Sequence, residues 1–289
     1  MKHVMLNPSK TSMPLIGFGT FKIRGAELVH SCLDAALGAS YRSVDTAAVY
    51  KNETDIGNSL KTLLPKYGLR RSDIFITSKL GPKDHGTGKC AEACLKSLSH
   101  LDCDYLDLYL IHWPGTQGMR PEDERHPALR LESWRDMETL VDQGKVKAIG
   151  VSNYTLKHLQ ELETQCRIPP SVLQTEFHPH LVCSELVQYC QQKNIHFQAY
   201  SSLGTSTDNQ LIEDKTVQSI AEMYKKSPAQ ILLRWAVQQN IGIIPKSTNP
   251  VHIRENAAIF DFDISPVDME RLSSLNRSLH YCWNPENVT

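Results

Sequence analysis

No stretch of this chain is apolar for long enough to cross a bilayer, and its opening residues, MKHVMLNPSK, hold no apolar segment of the kind a secretory leader needs. Net charge is also missing. Lys and Arg number 31 against 32 Asp and Glu, which leaves −1 and a pI near 6.9. With no basic run and no RNA-binding aromatic signature, there is no electrostatic case for a nucleic-acid or anionic-membrane partner. The eight cysteines include no C-x-x-C pair. Scattered thiols in a chain of this size suit a reducing cytoplasm, free and mostly buried. Cys90 and Cys94, one helical turn apart, read as core. His178-Pro179-His180 resembles a metal pair without a third ligand at useful spacing, so both read as loop histidines and no metal is expected. The Asn-x-Ser/Thr triplets at Asn52, Asn153, Asn276 and Asn287 matter only to a secreted chain and are set aside.

What is present is ordinary globular composition: 40% apolar, 22% charged and a mean hydropathy of −0.35. At 289 residues the length suggests about two domains, or one barrel of alternating strands and helices. The chain order favours one barrel domain over 1–289. Residues 4–6 and 13–16 flank Asn7-Pro8-Ser9-Lys10 and predict a hairpin, and Gly17-Phe18-Gly19-Thr20 ends a first strand. Short apolar runs then predict strands over 41–45, 74–78, 105–111, 146–151, 172–176, 196–200 and 241–244. Between them the apolar spacing turns helical. Examples are Val29, Cys32, Leu33, Ala36 and Leu37, then Ile56, Leu60, Leu63 and Leu64 behind a capping Asn52, then Ala91, Cys94, Leu95 and Leu98.

Further helices carry Trp134, Met137 and Val141, ended by Gly144, and Leu156, Leu159 and Leu162. Later ones follow at Leu186 to Cys190, Val217 to Tyr224, 228–239 and 251–258, with a last one opened by Ser265-Pro266 and Asp268. Trp134 and Trp235 fall on helices and are expected outside the barrel. Eight strand-then-helix units with no break in composition predict an α/β fold, a (β/α)8 TIM barrel with an N-terminal hairpin cap and extra helices. A doubly wound sheet would carry a Gly-rich fingerprint, and Gly17-x-Gly19-x-x-Lys22 lacks the third glycine.

The functional face of such a barrel lies at the strand C-termini. Those ends are Asp45, Lys79, His112, Ser152-Asn153, Gln174 with Glu176, Tyr200-Ser201 and Lys246-Ser247. One polar strand end means little, because strands must end somewhere wet; seven converging positions mark a site. Tyr50 follows Asp45 in a loop and is the candidate proton donor. A free phenol, with a pKa of about 10, is a weak acid near neutrality, so a cation, Lys79, is expected to lower its pKa. Asp45 would orient Lys79, and His112 would polarise a substrate oxygen. The combination fits carbonyl reduction.

The strings GFGT, VDTAAVYKNE, SKL, YLDLYLIHWP, GVSNY, QTEFHP, AYSSLG and IPKS, in that order, resemble the aldo-keto reductases from about residue 6 to 276. The resemblance implies a catalytic tetrad of Asp45, Tyr50, Lys79 and His112, and hydride transfer from NADPH to an aldehyde or ketone. It implies Gly19 and Thr20 beside the cofactor, Tyr200 stacked on the nicotinamide, and Ser152, Asn153 and Gln174 on its carboxamide. Ser201 and Leu203 would meet the pyrophosphate, Lys246 and Ser247 the 2′-phosphate, and Glu255 and Asn256 the adenine. His252 stands where the family usually has an arginine clamping the 2′-phosphate. A neutral imidazole offers one hydrogen bond in place of a charged bidentate pair, so NADPH preference should be weaker, with NADH possible, and should fall as His252 loses its proton.

Phe21, Val49, His112 and Trp113 would line the carbonyl pocket. Gly81, the short segment 204–214 and the short tail after Asn276 predict an open, shallow pocket for small carbonyls such as glyoxals. Segment 115–127 is a candidate substrate loop. No macromolecular partner is implied, and the family suggests a monomer. Some family barrels bind cofactor as channel-associated subunits or lens crystallins, which is the non-enzyme alternative. A Schiff-base aldolase using Lys79 would need that lysine neutral, and Asp45 argues against it.

Overall fold

A computed structural model describes residues 2–205 and 210–289. At its N-terminus β1 (His3–Met5) and β2 (Ser12–Pro14) pair antiparallel in the expected hairpin. Eight parallel strands follow: β3 (Phe18–Gly19), β4 (Ser43–Asp45), β5 (Phe75–Leu80), β6 (Leu106–Ile111), β7 (Val146–Ser152), β8 (Val172–Glu176), β9 (His196–Tyr200) and β10 (Gly242–Ile243). They are hydrogen-bonded in chain order from β3 to β10. The ends then meet. Ile16 bridges Ile243 in parallel, the Gly17 N–H donates to Ile243 O (2.8 Å) and the Gly19 N–H to Pro245 O (3.1 Å), which closes the (β/α)8 barrel.

Ten helices are described: α1 (Ala26–Gly38), α2 (Glu53–Lys66), α3 (Lys89–Leu101), α4 (His126–Asp142), α5 (Leu156–Glu163), α6 (Ser184–Gln192), α7 (Lys215–Tyr224), α8 (Pro228–Gln238), α9 (Pro250–Ala257) and α10 (Pro266–Ser273). The stripe read for α1 is its buried face, residue for residue. In α3 the expected stripe is turned by about one residue. Leu95 is exposed, and Cys90, Cys94, Leu98 and Leu101 are buried, which is a helical face one position earlier than Ala91, Cys94, Leu95 and Leu98 would give. Gly144 at φ 69° lies just beyond α4, as a stop signal should.

Two apolar cores result. The larger lies between strands and helices and includes Trp134 and Trp235, both fully buried outside the barrel wall. The smaller fills the barrel itself, where Phe75, Leu108, Leu110, Ala148 and Val172 meet Leu6 and Met13 from the hairpin. The hairpin is therefore a plug at the N-terminal end, each large side chain contributing about 1.5–3 kcal/mol on burial. With that end sealed, the opposite mouth is left for chemistry. Among the described residues no helix is long and apolar enough to cross a membrane.

Candidate active site

The strand ends converge at that mouth. Register places Asp45 beside Gly19 and Thr77, Ser152 beside Gln174, Gln174 beside Gln198, and Glu176 beside Tyr200. Tyr50 ends a single turn of 3-10 helix, Ala48–Tyr50, that follows β4. Asn52 sits at the N-cap position of α2, but its side chain does not cap the helix. It donates to Thr20 O and Ile23 O (both 2.9 Å) and accepts from Thr46 Oγ1 (2.7 Å). Burial explains the change of role: an amide enclosed between the loop after β3 and the loop after β4 must satisfy their polar groups. Asn52 thereby braces the loop that carries Tyr50.

Lys79 is 1% exposed and Asp45 2%, and they form an ion pair with Nζ–Oδ1 at 2.5 Å. Lys79 Nζ also donates to Thr46 O (3.0 Å) and to Tyr50 Oη (3.4 Å). Burial opposes the ammonium charge, but Asp45 and Tyr50 outweigh it and hold Lys79 above its ordinary pKa. For Tyr50 the expectation needs correcting. Burial raises the phenol's pKa by more than the nearby Lys79 lowers it, so the net shift is upward. The His112 ring lies edge-on to Tyr50 at 5.6 Å, and burial together with the Lys79 charge pulls its pKa well below the usual histidine value. His112 is therefore a neutral imidazole near pH 7. A protonated phenol backed by a buried ammonium, beside a neutral imidazole, can deliver one proton to an oxygen placed between the rings.

Around this centre the amides form a mesh. Gln174 Nε2 donates to Asp45 Oδ2 and to Gln198 Oε1 (both 2.8 Å). Asn153, left-handed at φ 62°, donates to His112 O (2.8 Å) and Ser152 Oγ (3.2 Å) and accepts from Tyr200 Oη (2.6 Å). Thr20 Oγ1 donates to Asp45 O (2.8 Å). Gly19 lacks a side chain for a structural reason: a Cβ there would stand 2.6 Å from Ile244 O, inside the seam that closes the barrel. Tyr200 and Ser201 are half-buried at the mouth, and Leu203 lies beside them.

The remaining cofactor candidates lie to one side. Lys246, His252 and Glu255 are exposed, Ser247 is half-buried and Asn256 is buried. His252 falls in the first turn of α9, whose N-cap, Asn249, accepts from the Val251 N–H. An exposed ammonium, a hydroxyl and a helix start in one place suit an anionic group.

Phe21, Tyr50, His112, Trp113 and Trp283 form a chain of ring contacts at 5.0, 5.6, 6.1 and 5.0 Å. Val49 is exposed beside Gly81, where an added Cβ would stand 3.3 Å from the Val49 side chain. Trp283 belongs to the tail, which is irregular, as expected, but does not leave the mouth open on its side. Val288 is buried, and the Thr289 N–H donates to Pro121 O (2.9 Å), pinning the tail to segment 115–127. The expected shallowness at 204–214 concerns residues of which 206–209 lie outside those described.

Sequence reasoning missed Gln198 and Trp283. Gln198 could have been found from the period of two in β9, which turns His196, Gln198 and Tyr200 to one face. Trp283 had no periodic signal. His178 and His180 are loop histidines, held by Glu176 and Tyr281, and no group of three metal-binding side chains occurs among the described residues. All eight cysteines are free, four buried and four partly so.

A (β/α)8 barrel with a Lys–Asp-backed phenol and a neutral imidazole at its mouth belongs with the barrels that carry proton-handling groups at their strand ends. Residues 15–277 match the family model described as Aldo/keto reductase family, and the chain belongs to that family. It is 43% identical over 276 residues to "Uncharacterized oxidoreductase YtbE" of Bacillus subtilis (strain 168), covering 95% of this chain and 93% of that one. It is 41% identical over 276 residues to the same organism's glyoxal reductase, covering 96% and 94%. Among solved structures it resembles MGS-M4, an aldo-keto reductase from a Medee basin deep-sea metagenome library, with a TM-score of 0.90, 37% identity and 99% of both chains covered.

Proposed function

We propose that this protein reduces aldehydes and ketones, small ones such as glyoxals among them, to alcohols with NADPH, Tyr50 acting as the general acid. The observation that carries this reading is the buried chain Asp45–Lys79–Tyr50 with the His112 ring edge-on to the phenol at 5.6 Å. The glyoxal reductase similarity supports the substrate class.

The side chains at the mouth fit a dinucleotide. Tyr200 presents a flat ring at a strand end, and Lys246, Ser247 and the start of α9 present donors for its phosphate. Ser152, Asn153 and Gln174 present amides and a hydroxyl for the carboxamide, with Gly19 and Thr20 bordering it. Ser201 and Leu203 would meet the pyrophosphate, and Glu255 and Asn256 the adenine. When bound, the nicotinamide supplies the hydride. His112, neutral, donates one hydrogen bond to the carbonyl oxygen and makes its carbon more electrophilic. Tyr50 gives its proton to the oxygen as negative charge develops there. Lys79 stabilises the phenolate left behind, and Asp45 keeps Lys79 charged and in place. That charge also argues against a Schiff-base role, which needs a neutral amine. Exposed Phe21 and Val49 and the half-buried Trp113 form apolar walls. We place the enzyme in the cytoplasm as a monomer.

The test is NADPH oxidation with a panel of aldehydes by the native protein and by Tyr50→Phe. The variant should bind NADPH unchanged and lose turnover by about 10²–10⁴-fold. Spared chemistry with lost binding would overturn the assignment.

A further inference from the structure

Glu176 ends β8 at the mouth, 3% exposed, and takes no part in the proton chain described above. Its carboxylate is surrounded by donors. Oε1 accepts from His178 Nε2 (3.0 Å) and from the Tyr281 N–H (2.7 Å). Oε2 accepts from the Cys282 N–H (3.2 Å) and lies 3.4 Å from His280 Nδ1. A carboxylate only accepts, so His178 carries its proton on Nε2. Two consecutive tail amides are therefore held by a buried anion on a barrel strand.

The same stretch is gripped nearby. The Leu279 N–H donates to His180 O (3.0 Å), and Tyr281 Oη lies 2.7 Å from His180 Nδ1. Beyond the mouth a second set of contacts holds residues 288–289: His158 Nε2 donates to Val288 O (3.0 Å) and Arg130 Nη1 to Thr289 O (2.6 Å). Arg130 also reaches Pro114 O (3.3 Å), next to Trp113. Residues 280–289 are thus a strap fastened at two places, to the end of β8 and to α4 and α5. Trp283 lies between the fastenings, half-exposed, its ring 5.0 Å from that of Trp113.

We infer that Glu176 is a positioning residue which latches the tail through the Tyr281 and Cys282 amides, and so sets Trp283 as a wall that selects aromatic carbonyl substrates. The inference rests on the proposed carbonyl reduction. Trp283 is separated from His112 by Trp113, so a small carbonyl seated at the phenol and imidazole does not reach it, whereas an aromatic aldehyde does. Releasing the latch frees the indole without moving Tyr50, Lys79 or His112. Its effect belongs in KM for the larger substrate and not in kcat.

The test compares the native chain with Glu176→Gln, Trp283→Ala and the double variant, using NADPH with 4-nitrobenzaldehyde and with methylglyoxal. Hydrogen exchange is followed at the Tyr281 and Cys282 amides. Glu176→Gln should speed that exchange and raise KM for the aromatic aldehyde about tenfold, with kcat held within about twofold and methylglyoxal unaffected. Trp283→Ala should raise the same KM while leaving exchange slow, and the double variant should be no worse than the worse single one, because both act on one contact. Unchanged exchange in Glu176→Gln, additive effects, or equal losses on both aldehydes would overturn the latch. If the native chain reduces neither aldehyde, the functional reading fails, while the exchange rates still decide whether Glu176 holds the tail. Should Glu176→Gln not fold, Cys282→Pro removes one donor from the tail side, and the same KM split and faster exchange at Tyr281 are expected of it.

Discussion

Lys79 and Asp45 illustrate how tightly single residues constrain one another at this site. Both are buried, so each is tolerable only in the presence of the other. Lys79→Met leaves a lone carboxylate inside the barrel and should destabilise the fold by about 3–5 kcal/mol in urea unfolding, with partial recovery on adding Asp45→Asn. The neighbouring pKa shifts make a second prediction. The Tyr50 shift is upward, so its proton is retained throughout the neutral range; the His112 shift is downward, so the ring is neutral well before pH 6.5 is reached from below. At saturating cofactor the reduction rate should therefore stay flat from pH 6.5 to about 10. A fall beginning near neutrality would show that Lys79 outweighs burial at the phenol.

At the scale of elements, the loop after β4 and the start of α9 do different work. Asn52→Ala removes three buried hydrogen bonds and should cost about 2–4 kcal/mol, with loss of turnover exceeding loss of cofactor affinity, because the loop holds Tyr50 and no proposed phosphate contact. In the first turn of α9, His252→Arg should lower KM for NADPH about tenfold and leave NADH unaffected. Equal KM values for the two cofactors in both proteins would show that His252 does not meet the phosphate. The hairpin, helix and strand positions at this scale were largely legible in the sequence, since period two and period 3.6 arise from the chain's own geometry. The register of α3 was less so. Which of Cys90, Ala91, Cys94 and Leu95 turns inward depends on the surface it meets.

For the whole molecule, buried histidines set the acid limit. His85, His158 and His196 are each pulled down to about 4 by burial. In the unfolded chain they titrate near 6.5, so between those values the unfolded state binds more protons. Their contribution is complete above pH 6.5 and is lost as pH falls toward 4, with a slope of up to about 1.4 kcal/mol per pH unit for each. Urea midpoints at pH 7.5, 6 and 5 should fall in that order at constant m-value.

The barrel and the meeting of Asp45, Tyr50, Lys79 and His112 at one rim could be read from the chain alone, because Asp45, Lys79 and His112 stand at strand ends, Tyr50 lies in the turn just after β4, and the fold brings strand ends together. Three things needed the folded molecule. Asn52 became a loop brace, the Tyr50 shift turned upward, and the tail became a strap on Glu176. Each depends on what lies around a group in space, on burial and on partners remote in sequence such as Glu176 and Tyr281, and neither periodicity nor motif spacing carries that information.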